Sequence, residues 1–154
     1  MIFAALVLVT SSALFLFFLQ VVCERILRRE FEQPYFKLIA DTNGLEFAAL
    51  RVALQEDDQG VKYGRLRLAL ACDYKALTFL LRKVEASGFG RASFEKHLLL
   101  GYCHFLFFAM SLRHSLGLQV KPAALKLAAI LEYFANVVGY RVEVARTGNF
   151  AATA

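Results

Sequence analysis

Residues 2–23 read IFAALVLVTSSALFLFFLQVVC, and no side chain among them carries a charge. Ionised groups follow at once, at Glu24, Arg25, Arg28 and Arg29. A helix rises about 1.5 Å per residue, so an apolar run of this length matches the roughly 30 Å hydrocarbon core of a bilayer. Its polar side chains are Thr10, Ser11, Ser12 and Gln20. The hydroxyls can bond a carbonyl one turn back and are cheap in such a helix. Gln20 falls at the level where water or headgroups solvate an amide. The run is expected to be an uncleaved membrane anchor.

A cleaved secretory signal is the natural rival. It would need a basic segment before the apolar run, a shorter run and a small-x-small exit. No Lys or Arg precedes Ile2, and Gln20-Val21-Val22-Cys23 offers no small-residue exit. Val22 is also too large for lipoprotein-type processing at Cys23. With Arg25, Arg28, Arg29 and Lys37 all following the run, the positive-inside rule places the N-terminus outside and the body in the cytoplasm or organellar matrix. The expected location is a plasma or inner membrane, or the inner membrane of an organelle. Arg25, Arg28 and Arg29 share a face of a continuing helix and can touch anionic headgroups, at about 1 kcal/mol each.

Outside the anchor about 130 residues remain, enough for one domain with a core of its own. Residues 1–30 are read as anchor and basic juxtamembrane helix, 31–146 as a helical domain and 147–154 as a flexible tail. The 58% hydrophobic content is partly due to the anchor, but the remainder is still apolar for a soluble domain, rich in Phe and Leu, which points to a bilayer, a partner or another copy of the chain. The net charge of +5 suits an anionic membrane without further assumption. Three widely spaced cysteines (Cys23, Cys72 and Cys103) make neither a metal spacing nor a disulfide framework, and are expected to be buried thiols.

The fold class expected is mostly α, with one transmembrane helix followed by a compact helical domain. Asp41–Gly44 reads as a turn or helix start and Glu56–Gly60 as an acidic turn. Arg65-Leu66-Arg67-Leu68 alternates, so residues 45–74 could instead form a β-hairpin and make the domain α+β. The Ala and Leu content favours helix. Leu77, Leu80, Leu81 and Val84 form a helical stripe that Ser87–Gly90 ends, and Ser93 is placed to cap the next helix. Leu98–Leu112 is apolar almost all round and reads as the central core helix. Gly117 is placed as its C-cap, and Pro122 as the first residue of the last helix. Leu125, Ile130, Leu131, Phe134, Val137 and Val138 are that helix's apolar side. Gly139 is expected to end it, with Tyr140–Val144 extended.

Chemistry-bearing residues are sparse. His97 and His104 share a helix face, yet two turns separate them by about 10 Å, too far to chelate one ion. His104 is the sharpest cofactor candidate, as a haem ligand or proton carrier. As a plain structural residue it would be a neutral core imidazole with one hydrogen bond. His114 beside Arg113 reads as a helix C-terminal cap. Asp73 and Glu132 are expected to pair with Lys75, Lys126 or other helices. Glu56, Asp57 and Asp58 lack the spacing of a calcium loop. The basic sector Arg65, Arg67, Lys75, Arg82 and Lys83, with Tyr63, Tyr74 and Phe79 interleaved, matches no nucleic-acid module. No P-loop, Gly-x-Ser-x-Gly, HExxH or CxxC occurs. No cofactor or metal is expected.

The function expected is a non-enzymatic, single-pass accessory or assembly subunit of an integral membrane protein complex. Its anchor would pack through Ala4, Ala5, Ser11, Ser12 and Ala13. Its domain would dock through Phe105, Phe107, Phe108, Tyr133 and Phe134, with self-association also open. The alternatives are a membrane-bound haem or redox protein using His104 and His97, and a tethered adaptor that recruits a soluble partner.

Overall fold

The computed structural model describes residues 1–28, 34–56, 62–86 and 94–152, with side chains as far as Thr147. Six helices fill these segments: α1 (Ile2–Leu27), α2 (Phe36–Asn43), α3 (Phe47–Gln55), α4 (Tyr63–Ala86), α5 (Phe94–Ser115) and α6 (Lys121–Ala152). No strand occurs among the described residues, which overturns the hairpin alternative at 45–74. The alternation at 65–68 is a helix seen edge-on. Of those four residues only Leu66 turns inward, and it begins the buried stripe Leu66, Leu70, Asp73, Leu77 and Leu81.

The central helix is α6, not the Phe-rich α5. Ala123, Ala124, Leu127, Ala128, Ile130, Leu131, Phe134, Ala135 and Val138 are all buried, and together they span an apolar arc of about 160° at 3.6 residues per turn, with most of the remaining sides half-buried. Four of the nine are alanine, so neighbouring backbones can come close on several sides at once. Each of the other five helices packs against it. By contrast α5 exposes Gly101, His104, Phe108 and Leu112 along one face, because its bulky rings suit a single packed side.

The two short helices, α2 and α3, start without a local side-chain cap. Each is capped from a long helix instead. The Phe36 amide donates to Asn136 Oδ1 of α6 at 2.8 Å, and the Phe47 amide to Asp73 Oδ2 of α4 at 2.6 Å. Asn136 and Asp73 are the buried polar residues of the core. Each supplies the acceptor that an orphan N-terminal amide needs. Asp73 therefore pairs with backbone and not with Lys75 or Lys126, while Glu132 pairs with Arg51 of α3.

Gly139 does not end α6, and Tyr140–Val144 are helical; the backbone helix continues to Ala152. The glycine serves a close approach: a Cβ built on it would overlap the Tyr35 Cβ at the start of α2. Asp41–Asn43 close α2, with Gly44 as its left-handed cap, where a turn or helix start was expected. Gly117 caps α5 as predicted: with φ of 67°, it donates to His114 O while the Leu118 amide donates to Arg113 O. Arg113 adds a side-chain bond to Gln119 O, and His114 stacks on Tyr63, with ring centroids 3.8 Å apart. Asp57, Asp58, Gly60, Ser87–Gly90 and Ser93 lie outside the described residues.

Burial raises the Asp73 carboxyl above its ordinary value, against the pull of the Phe47 and Glu46 amides. Its folded form therefore binds a proton more readily than its unfolded form. The associated stability is fully present below the unfolded value of 3.8 and is lost as pH rises through the folded one. Asp73→Asn should keep an acceptor for the Phe47 amide and abolish this pH dependence. Asp73→Ala should cost about 1–3 kcal/mol by orphaning that amide, read by urea unfolding. Gly139→Ala should likewise destabilise the domain by about 1–3 kcal/mol, since α2 must shift to clear the new methyl.

Candidate functional site

Every side chain of α1 from Met1 to Phe18 is exposed. The last turns behave differently: Leu19, Gln20 and Val22 are half-buried, and Cys23 and Ile26 are buried in the domain core. The helix packs there on α5 and α6. A polar clasp closes the seat. Glu24 Oε1 accepts from Lys126 Nζ at 3.0 Å and from Gln20 Nε2 at 3.1 Å. Gln20 is thus satisfied within the protein, where solvent or headgroups were expected. In the uncovered half Thr10 bonds the carbonyls of Leu6 and Val7, at 2.9 and 3.0 Å, in the manner predicted.

By length and composition two helices could cross a membrane, α1 and α6. Their surroundings differ. None of the apolar window of α1 is buried, whereas 61% of that of α6 is. The hydrophobicity of α6 is that of a core helix; among the described residues nothing covers Met1 to Phe18.

Arg25 and Arg28 are exposed beside the seat, Arg28 as the C-terminal cap of α1, and Lys37 is exposed on α2. Arg29 lies outside the described residues. Ala4, Ser11 and Ser12 line a shallow groove on α1 with Phe3, Val7 and Leu8. The five aromatics proposed for docking do not form one surface. Phe134 is buried, Phe105, Phe107 and Tyr133 are half-buried against the core, and Phe108 alone is largely exposed. Helical periodicity gave the correct stripe on α6 but not which stripe of α5 faces outward.

His104 is exposed, not a core imidazole. Its Nδ1 lies 2.8 Å from Leu100 O, and its ring meets the edge of Tyr74. His97 is exposed two turns away. Among the described residues no group of three or more His, Cys, Asp or Glu could hold a metal ion. Cys23 and Cys103 are buried, and burial pushes the Cys103 thiol far up; Cys72 is exposed, contrary to expectation.

A second concave feature lies where α4, α5 and α6 converge. A cleft of about 220 Å³ is lined by Leu81, Tyr133, Phe134 and Val137 and by a charged group of Glu85, Lys96 and Arg141. Lys96 Nζ lies 2.5 Å from Glu85 Oε2, and Arg141 Nη1 lies 3.6 Å from Glu85 Oε1. Three separate helices contribute one charge each, so no linear spacing announced the cluster. Its geometry is that of a clamp tying the end of α4 to the start of α5 and the middle of α6.

No protein-family model matches the chain, and no curated protein or solved structure resembles it. Function has to be read from the molecule itself.

A thiol reagent should label one cysteine per native chain, Cys72, and all three after denaturation, read by intact mass. Lys126→Ala should weaken the seat of α1 by less than about 1 kcal/mol, because both partners of the ion pair are partly solvated. Ile26→Ala should weaken it more, by about 2–5 kcal/mol, through the cavity left in the core. Hydrogen exchange across residues 19–27 measures both.

Proposed function

We propose that the protein is a single-pass, membrane-anchored accessory or assembly subunit of a larger membrane protein complex. The reading assigns it no catalytic role. The observation that carries it is α1: residues 1–18 are all exposed, while Cys23 and Ile26 in its last two turns are buried in the domain core. An apolar helix uncovered over roughly 27 Å cannot rest in water, and it is close to the thickness of the hydrocarbon it would need. The exposed Arg25 and Arg28 directly below favour an N-terminus outside and a domain inside. Because the anchor is seated in the core and not hung from a tether, the domain is held at the membrane surface. Its partners are then other subunits within reach of that surface, met by the groove on α1 and by exposed faces of the domain.

Alkaline carbonate extraction should leave the chain in the membrane pellet. Leu14→Arg, near the middle of the run, should release much of it, since a central arginine costs about 2.5–3.5 kcal/mol on insertion. Release of the unaltered chain by carbonate would sink the anchor. In sealed right-side-out vesicles an impermeant thiol reagent should reach Cys72 only after lysis, and labelling before lysis would reverse the orientation. Purification in mild detergent at native expression level should yield a large stoichiometric assembly; a lone monomer would argue against a subunit.

A further inference from the structure

The outward side of α4 carries a pattern that its packing does not use. Arg65, Leu68, Cys72, Lys75, Phe79 and Arg82 are all exposed and recur at alternating intervals of three and four residues. That spacing forms a single seam along the helix, opposite the buried stripe that starts at Leu66. Leu68 is 66% exposed and Phe79 is 65% exposed, about 16 Å apart along the axis at 1.5 Å per residue. Around them stand Arg65, Arg67, Lys75 and Arg82, and among the described residues none of these four pairs with a carboxylate. The helix's own acids are elsewhere, Asp73 in the core and Glu85 in the clamp.

We infer that this face of α4 is a docking surface for an acidic amphipathic helix of a partner polypeptide. Alternating three-four spacing is what a helix laid alongside reads, with Leu68 and Phe79 as apolar anchors and the cations setting register and sign. A second copy is disfavoured, because the same four cations would face themselves in a chain already at +5. Nucleic acid is disfavoured because two of the three interleaved rings are engaged, Tyr63 stacked on His114 and Tyr74 against His104 and Phe107. That leaves Phe79 alone and no run of rings for successive bases.

The bilayer is disfavoured by position. α1 and α4 are not packed on each other: α1 packs on α5 and α6, while α4 packs chiefly on α6 and α3 and meets α5 through Tyr63, Tyr74 and Glu85. α4 begins beside the end of α5, where Tyr63 meets His114, and finishes beside Arg141. The chain below the anchor follows α6 in the same direction, from Lys126 at Glu24 to Asn136 at Phe36. The basic face thus leads away from the anchor and does not lie across its base.

The inference names the partner chemistry for the docking role proposed above and rests on that role. Cys72 lies at the centre of the seam and supplies the probe. The full chain in nanodiscs, with an environment-sensitive dye on Cys72, is titrated with a synthetic helical peptide of glutamate and leucine heptads; calorimetry on undyed protein repeats the measurement. Saturable binding is expected. It should weaken roughly tenfold or more in the Arg65→Glu/Lys75→Glu/Arg82→Glu variant, in Leu68→Ser/Phe79→Ser, and on raising salt from about 50 to about 500 mM. Circular dichroism checks that both variants keep their helices. A peptide of equal charge with its leucines scrambled should bind at least roughly tenfold more weakly. Three results overturn the inference: no binding, binding indifferent to charge reversal, or equal binding of the scrambled peptide. A dye shift produced by anionic lipid alone overturns it too, by assigning the face to the bilayer. Failure of the anchor reading would show earlier and separately, as failure to enter nanodiscs.

Discussion

Everything in the domain depends on α6 being surrounded. All five other helices pack on it, so few polar groups can point into those contacts without a partner, since an unpaired buried one costs more than a bond returns. α6 gives its polar side chains to different neighbours, three of them through hydrogen bonds or close ion pairs. Arg141 makes a looser ion pair, and among the described residues its buried Nη1 makes no hydrogen bond. Lys126 holds α1 through Glu24, Glu132 holds α3 through Arg51, Asn136 caps α2, and Arg141 reaches Glu85 of α4. Between these points the alanines let the surrounding backbones close in. α5 packs on α6 within the apolar core, and its ion pair through Lys96 goes to α4.

The same device explains the two short helices. Eight or nine residues are too few for a helix to persist on propensity alone, and neither α2 nor α3 has a capping side chain at its own start. Their first amides are satisfied only once Asn136 and Asp73 are in place. α2 and α3 are therefore products of the assembled core, not elements that precede it. The cost is a carboxyl buried at Asp73, tolerable because it sits at the positive end of α3 and accepts bonds there.

α1 joins two environments in one rod. Its upper part is exposed along its whole length, and its lower turns bury Cys23 and Ile26 in the domain core. The proposed anchor and the domain are therefore coupled rigidly, through Cys23 and Ile26 packed inside and the Glu24–Lys126 clasp at the rim. Such a connection transmits orientation. Whatever binds the domain is presented at a set angle to whatever packs on the anchor, which a flexible linker could not achieve.

Much of this was legible in the residues. The uncharged run Ile2–Cys23, the helical class, the C-cap at Gly117, the back-bonding of Thr10 and the stripe Leu77–Leu81–Val84 follow from local chemistry, because each depends on neighbours one turn away. The misreadings share one cause. Gly139 looks like a terminator until Tyr35 fills the space a side chain would need; α5 looks central because its rings are apolar, whereas α6 is central because its alanines are small; Phe134 looks available until α6 is enclosed. The clamp of Glu85, Lys96 and Arg141 draws on three helices and has no linear signature. Sequence alone determined the helical class and the presence of one uncharged run long and apolar enough to cross a membrane, since periodicity, propensity and charge act within a few residues. Only the tertiary structure decided which helix is enclosed, which polar groups cap which ends and which face of α4 is left to solvent, because those outcomes rest on contacts between residues as many as 102 positions apart.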